Sequence, residues 1–377
     1  MDLLECRKQI DEIDRQMVSL FEERMKISRD VAEYKLSVGK KIYDKEREDA
    51  KIRMVEEMTD SQFNRHAVRE LYSQLMSMSR KLQYTLIPGE TAVQQFTPVE
   101  GLDITEATRV VYFGVPGSYT EQAMLEVFGD KVQGFNRTAF KDIMEAVQAG
   151  EADYGILPIE NSSTGGIDDI YDLLVDYENV IVGQHIIKIR QSLLGLAGAK
   201  PEDIKTVYSH PQGILQCSRF LEKYPSMKAV EFASTAAGAA KVKEDQDSSQ
   251  AAIGSIRAAE YYGLSVICEQ INDEDTNSTR FIIITREKKY LEDGNLISLS
   301  LELPHTAGSL YNILSHIRFN GLNMTKIESR PLSGKPFEYR FFIDFQGNLK
   351  EPGVRNAIRG MAEEAVDFRI LGNYKES

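Results

Sequence analysis

The chain is 377 residues long, enough for two to four domains at roughly 100–200 residues each. Its 42% hydrophobic and 27% charged residues exclude a mainly disordered, collagen-like or mucin-like polymer. Residues 1–86 balance 17 basic against 17 acidic side chains, whereas the remainder holds 28 against 41 and carries the whole net charge of −13, so no basic excess exists to neutralise a nucleic-acid backbone.

No apolar run approaches the ~18 residues of a membrane span, and the charged start does not read as a signal peptide. Cys6, Cys217 and Cys268 are too scattered for a disulfide framework or a Cys-x-x-Cys zinc site. A reducing cytoplasm is expected, with no membrane or nucleic-acid partner. From Leu3 to Val38 apolar positions recur at alternating steps of three and four, which predicts one helix of about 50 Å. That is too long for a small domain to cover from one side, so a second copy is expected against it. Gly39 with Lys40 and Lys41 reads as a helix stop, Asp44 as the N-cap of a second helix, and Val68, Leu71, Leu75, Met78 and Leu82 as the stripe of a third. Residues 1–86 form an all-α unit on this reading, and the aperiodic, Pro- and Gly-bearing residues 87–108 a linker.

Beyond it, short apolar runs alternate with helical stretches, which is an α/β pattern. The expected strands are Val110–Phe113, Tyr154–Leu157, Val180–Ile189, Thr206–Tyr208, Ala251–Gly254 and Phe281–Ile284, within a unit of residues 109–287. The charged stretch from Arg286 to Gly294 marks a second boundary. A strand at Leu296–Leu303, a helix at Leu310–Phe319 and a strand at Tyr339–Phe345 fit a βαββαβ unit over residues 295–372.

Arg7, Arg24, Lys35 and Arg47 lie on or beside the helical apolar seam. Flanking charges of a coiled coil usually sit so, snorkelling into water. Arg24 stands where Leu or Ile belongs, however, and a buried guanidinium is costly unless an anion meets it. With Glu48 beside Arg47, and Ser79 and Gln83 one turn apart on the third helix, the set describes a cationic pocket with neutral hydrogen-bonders. Arg7, Arg24, Lys35, Asp44-x-x-Arg47-Glu48 and Ser79-x-x-x-Gln83 together resemble the all-α chorismate mutase family throughout residues 1–86. The resemblance implies an intertwined dimer and these eight residues as its site. Arg7 would reach into the other subunit, Arg24, Lys35 and Arg47 would hold carboxylates and the ether oxygen, and Glu48 would take the ring hydroxyl. A pericyclic rearrangement suits such a site, since it needs a held conformer and well-placed cations rather than a nucleophile or metal.

In the α/β unit the polar groups gather in strand-ending loops, at Gly114-Val115-Pro116-Gly117-Ser118, Glu160–Gly166, Ser209–Gln212, Ser234-Thr235 and Asn277–Phe281. Such loops are turns more often than sites, but several precede helices, where free N–H groups favour an anion. Neither Gly-x-Gly-x-x-Gly nor Walker A appears, and the five histidines form no metal motif, so no cofactor and no metal are expected. Acid–base chemistry alone favours His210 or Glu160 as a proton donor. Pro158-Ile159-Glu160-Asn161-Ser162, Ser209-His210-Pro211-Gln212 with Gln216, and Thr279-Arg280-Phe281 resemble the prephenate dehydratase signatures. That likeness implies two lobes around a cleft, as in periplasmic binding proteins. Thr279 is then the catalytic residue, Glu160, Asn161, Ser209, Gln216 and Phe281 bind prephenate, and Arg280 pairs with a carboxylate.

His305-Thr306-Ala307-Gly308-Ser309-Leu310, Gly321-Leu322-Asn323 and Glu328-Ser329-Arg330-Pro331 resemble an ACT regulatory domain. The resemblance implies an L-phenylalanine site at Gly308, Ser309, Leu310, Asn323, Glu328, Ser329 and Arg330, between paired subunits of a homodimer or tetramer. This sequence has Ser309 and Tyr311 where the family reads Ala and Val. The order of the three blocks is that of bifunctional chorismate mutase/prephenate dehydratase enzymes of aromatic amino-acid biosynthesis. Two alternatives remain at this stage: a non-enzymatic amino-acid sensor, and an enzyme whose mutase block has become a dimerisation arm.

Overall fold

The computed structural model describes residues 2–86 and 92–376. Helices α1 (Leu3–Ser37), α2 (Lys45–Glu57) and α3 (Gln62–Leu86) open the chain. α1 stops at Val38 and Gly39, whose φ is +65°, and Asp44 caps α2 by accepting from the Arg47 N–H at 3.1 Å. The buried residues of α1 are Ser28 and Ala32, whereas Leu3, Ile10, Ile13, Met17 and Leu20 stand half or more exposed. Half of the apolar seam is therefore uncovered within one chain.

Residues 87–91 of the expected linker lie outside the described residues. The rest of it is folded: Val93 and Phe96 are buried in the core of the following unit, and Thr97–Val99 pairs in parallel with Lys289–Leu291. Short polar sequence concealed this, because a three-residue strand has no periodicity to read.

The α/β unit has two lobes. The sheet of the second has five strands among the described residues, in the order Ser265–Cys268, Ser192–Gly195, Gln250–Gly254, Thr206–Ser209, Lys228–Glu231. The first lobe is built on Gln133–Arg137, Arg109–Phe113, Tyr154–Asn161, Ser278–Thr285 and Val180–Lys188. The chain crosses to the second lobe near residues 189–191 and returns through 269–277, bringing both crossings to the end of strand Ser278–Thr285. Leu193, Val207, Ala251 and Ile253 fill the second lobe's core.

The last unit has the order strand, helix, two strands, helix, strand: Leu296–Glu302, Ser309–Phe319, Met324–Pro331, Tyr339–Gln346, Pro352–Glu364 and Asp367–Tyr374. Its sheet does not stop at the charged stretch. Asp367–Tyr374 joins Val180–Lys188 in parallel at Gly372 and Ile181, so one sheet of ten strands among the described residues runs through both units. Gly372 makes that junction possible, since a Cβ there would lie 2.1 Å from the Ile181 carbonyl oxygen. Lys289, from the charged stretch, is buried and donates to the Tyr154 hydroxyl at 3.1 Å. α3 in turn lies against the two helices of the last unit: Tyr84 donates to Glu363 at 3.1 Å, and Lys81 Nζ to the Ser315 hydroxyl at 2.9 Å.

Candidate active sites

The helical unit gathers Arg24, Lys35, Glu48, Ser79 and Gln83 around the crossing of α1, α2 and α3. Arg24 donates to the Leu75 carbonyl at 3.0 Å and to the Ser79 hydroxyl, and Lys35 Nζ donates to the Ile42 carbonyl. Burial lowers the pKa of both cations and raises that of Glu48, against the pull of Arg80. Ser79 and Gln83 are buried, and the Gln83 Oε1 has no hydrogen-bond partner among the described residues. A buried carboxamide with spare capacity beside half-buried cations suits a polar, anionic guest.

Asp44 and Arg47 lie at the exposed edge of the pocket, near enough for both to act on the Lys35 charge, and Asp44 also caps α2. Arg7 is exposed on α1, 17 residues before Arg24 and hence about 25 Å away along the helix. Arg80 was not anticipated: it is 6% exposed, ion-paired to Glu48 and, at 2.8 Å, to Glu364 of the last unit. Its signal was present, since a cation between Ser79 and Gln83 must share their buried face or crowd it.

In the two-lobed unit, Thr279 and Asn161 face each other across paired strands, and the Asn161 Nδ2 donates at 2.9 Å to the Thr279 hydroxyl and at 2.9 Å to the Asn277 Oδ1. The Thr279 oxygen accepts that bond, which leaves its own proton to donate elsewhere. From the second lobe, the Gln191 Nε2 donates to the Gln216 Oε1 at 3.3 Å, and the Gln212 amide reaches Thr164 of the first lobe at 3.4 Å. Asn277 Nδ2, Gln191 Oε1 and the Ser192 hydroxyl are buried without partners among the described residues. Gln191 escaped sequence reasoning because it is a single amide at a lobe crossing, in no motif, and Asn277 entered it only as the first residue of a polar loop.

Alternation along the paired strands sends the immediate neighbours to the other face. Arg280 and Glu160 are on the opposite sheet face from Thr279 and Asn161. Arg280 pairs with Glu160 at 2.7 Å and Asp344 at 3.3 Å, and Lys326 meets Glu160 at 2.9 Å. They fasten the first lobe to the last unit around a cavity of about 370 Å³. Burial works against the Glu160 charge, but Lys326 and Arg280 outweigh it and lower its pKa, so it is a poor acid. Phe281 is 2% exposed and belongs to the core. Ser209 is fully buried, its hydroxyl donating to the Ile253 carbonyl at 2.9 Å. His210 is exposed and caps a short helix, its Nδ1 accepting from the Gln212 N–H at 3.3 Å.

A third pocket, of about 360 Å³, lies in the last unit between His305, Thr306, Ser309, Leu310, Tyr339 and Phe341. Gly308, at φ +84°, turns the chain into the helix, and the Ser309 hydroxyl is held by Thr306 at 2.8 Å. Tyr311 points away, its hydroxyl accepting from Gln74 of α3 at 3.3 Å. The other expected ligand contacts do not converge here. Arg330 pairs with Asp168 and, at 2.7 Å, with Asp172 of the first lobe, Glu328 lies beside Gly166, Asn323 bonds Gln346 at 3.1 Å, and Ser329 is exposed.

Comparison with known proteins gives the helical and two-lobed units their chemistry. Residues 6–84 match the family Chorismate mutase type II, and residues 110–289 match Prephenate dehydratase. The chain is 30% identical to the bifunctional chorismate mutase/prephenate dehydratase of Pseudomonas aeruginosa, over 98% of this chain and 97% of that one. Among solved structures, it resembles a prephenate dehydratase from Arthrobacter aurescens in complex with L-Phe, at 31% identity and a TM-score of 0.66, over 71% of this chain and 90% of that one. It equally resembles GqqA, described as a novel type of quorum quenching acylase, at 28% identity and a TM-score of 0.66, over 71% and 98%.

Fold and matches thus define an enzyme of two fused catalytic units, a helical isomerase and a two-lobed lyase. The chain belongs to the bifunctional chorismate mutase/prephenate dehydratase family of phenylalanine biosynthesis. It rearranges chorismate to prephenate and converts prephenate to phenylpyruvate, which sets aside the sensor alternative.

Proposed function

We propose that residues 1–86, 109–287 and 295–372 act as mutase, dehydratase and ACT regulatory domain, with one reaction in each of the first two. In the mutase, Arg24, Lys35 and Arg47 hold the carboxylates and ether oxygen of chorismate in the reactive conformer, Ser79 and Gln83 complete the pocket, and Glu48 accepts from the ring hydroxyl. Asp44 sets the start of α2 and so the approach of Arg47 and Glu48. Arg7 serves the pocket of a second copy, because α1 carries it far from its own. Pairing two copies along α1 would also cover Leu3, Ile10, Ile13, Met17 and Leu20, at roughly 1.5–3 kcal/mol for each side chain buried.

In the dehydratase, prephenate loses CO2 and its ring hydroxyl as the ring becomes aromatic, so the enzyme has chiefly to assist the departing oxygen. Thr279 donates to that hydroxyl, while Asn161, Asn277, Gln191 and Gln216 place the ring and its carboxylates. The observation that carries this reading is the bond from Asn161 to the Thr279 oxygen, which turns the threonine proton toward the guest. Ser209 and Phe281 support the walls from within the core, and the Arg280–Glu160 pair holds the last unit against them.

L-phenylalanine, bound in the Arthrobacter aurescens relative, fits the pocket at Gly308, Ser309 and Leu310 and lowers dehydratase activity by favouring a less active arrangement of the units. The three free cysteines suit a reducing compartment. Assays of the purified chain with chorismate and prephenate separately, with and without phenylalanine, test the whole scheme. Gln83→Ala should remove mutase turnover and leave the dehydratase intact. Loss of both activities together would refute the two-site assignment, and unchanged dehydratase rates under phenylalanine would refute the regulatory one.

A further inference from the structure

We propose that Arg80 is a positioning residue for the mutase reaction and that the C-terminal unit supplies its seat, through Glu364 and His316. The inference rests on the assignment of Glu48 to the ring hydroxyl of chorismate. Arg80 spans two carboxylates: one Nη atom holds the Oε2 of Glu48 on α2, and the other holds Glu364 on helix Pro352–Glu364 at 2.8 Å. The Tyr43 ring lies over the guanidinium at 4.9 Å, so its plane is fixed from a third direction. On the far side, the Glu364 oxygen that meets Arg80 also meets the His316 Nε2 at 3.0 Å. His316 is fully buried and wedged against Gly360, where a Cβ would lie 2.2 Å from its ring.

The stretch of α3 that bears Arg80 is clasped by the same unit, through Lys81 to Ser315 at 2.9 Å and Asn356 to the Lys81 carbonyl at 3.1 Å. A guanidinium tied through one Nη and stacked across its face aims its other Nη in a set direction at a second carboxylate. Arg80 engages Oε2 of Glu48 and leaves Oε1 to accept from a substrate hydroxyl. Glu364 thus reaches the mutase pocket through two side chains without touching the substrate, and the mutase site is complete only in the presence of the last unit.

The test uses the full chain and measures both activities. Glu364→Gln, of equal size but neutral, should lower mutase kcat about tenfold with KM held within twofold, leave dehydratase kcat and KM unchanged, and leave the far-ultraviolet circular dichroism unchanged. Glu364→Asp, charged but shorter, should fall between. In a Glu48→Gln background the same substitution should cost nothing further, because its effect passes through Glu48. Unchanged mutase kinetics in Glu364→Gln, an additive loss in the double variant, or a parallel fall of both activities would each overturn the proposal. If Glu48→Gln itself keeps full mutase activity, the assignment of Glu48 is what fails, which separates the two readings.

Discussion

Glu364 shows how much one buried carboxylate can be made to do. Burial works against its charge, yet His316 and Arg80 lower its pKa below the ordinary 4.5, so it stays ionised in the folded chain. A carboxyl depressed in the fold contributes stability that is whole above its unfolded value of about 4.5 and is lost as the pH falls through the lower folded value. Glu364→Gln should therefore cost about 1–3 kcal/mol near neutrality and flatten the acid limb of a melting-temperature profile taken from pH 3 to 7. Burial likewise lowers the His316 pKa, so at neutral pH the ring is uncharged and its Nε2–H donates to Glu364. In the dehydratase, Thr279→Ala should reduce prephenate kcat by about 10²-fold or more, the order of loss when one donor to a developing oxyanion is removed. His210→Ala should leave it nearly unchanged, since that ring is exposed and spent on a cap. A Thr279→Ala enzyme of near-normal kcat would remove the threonine from the mechanism.

Among the elements, strand Ser278–Thr285 organises the dehydratase. Successive residues serve opposite faces: Thr279 meets Asn161 and Phe281 enters the core on one face, while Arg280 binds the last unit on the other. A contact between the dehydratase and C-terminal units through Arg280 is therefore one peptide away from the Thr279 hydroxyl. Strand Asp367–Tyr374 makes the second connection, where Gly372 meets Ile181 without room for a side chain. Gly372→Ala should open that junction and destabilise the chain by several kcal/mol, since the clash is with backbone and neither strand can retreat from its other neighbours. Thermal unfolding followed by circular dichroism checks this, and a variant melting within a degree of the parent would show that the junction adds nothing to stability. The short strand Thr97–Val99 holds the intervening segment in place on the same body.

At the scale of the molecule, the mutase helices are not a tethered appendage. α3 is bonded along its last three turns to both helices of the C-terminal unit, and that unit shares a sheet with the first dehydratase lobe. What the single chain leaves open is the N-terminal half of α1. Ile13→Glu, placed in the exposed apolar stripe and away from the chain's own pocket at Arg24, should lower the mass of the particle on light scattering and reduce mutase turnover, because Arg7 would no longer reach a second pocket. Dehydratase activity should persist. An unchanged particle mass would place the second copy elsewhere.

Local pattern made much of this legible in advance. The 3-4 seam, the Gly39 stop and the Asp44 cap produced three helices, the alternation of strands and helices produced the α/β unit, and spaced polar residues pointed to a cationic pocket on the helices, whereas Asn161 and Thr279 were singled out only by family resemblance. These depend on neighbours in sequence or on motifs, where period and residue type carry the information. Partnership across distance did not show. Arg80 with Glu364, Arg280 with Asp344, and Gly372 with Ile181 are 284, 64 and 191 residues apart, and each is decided by which faces the fold brings together. A charged side chain reads the same in sequence whether it holds a substrate or another unit of its own chain. Only the tertiary structure assigns Arg280 and Arg330 to contacts within the molecule, because burial makes each of them take the nearest carboxylate as its partner.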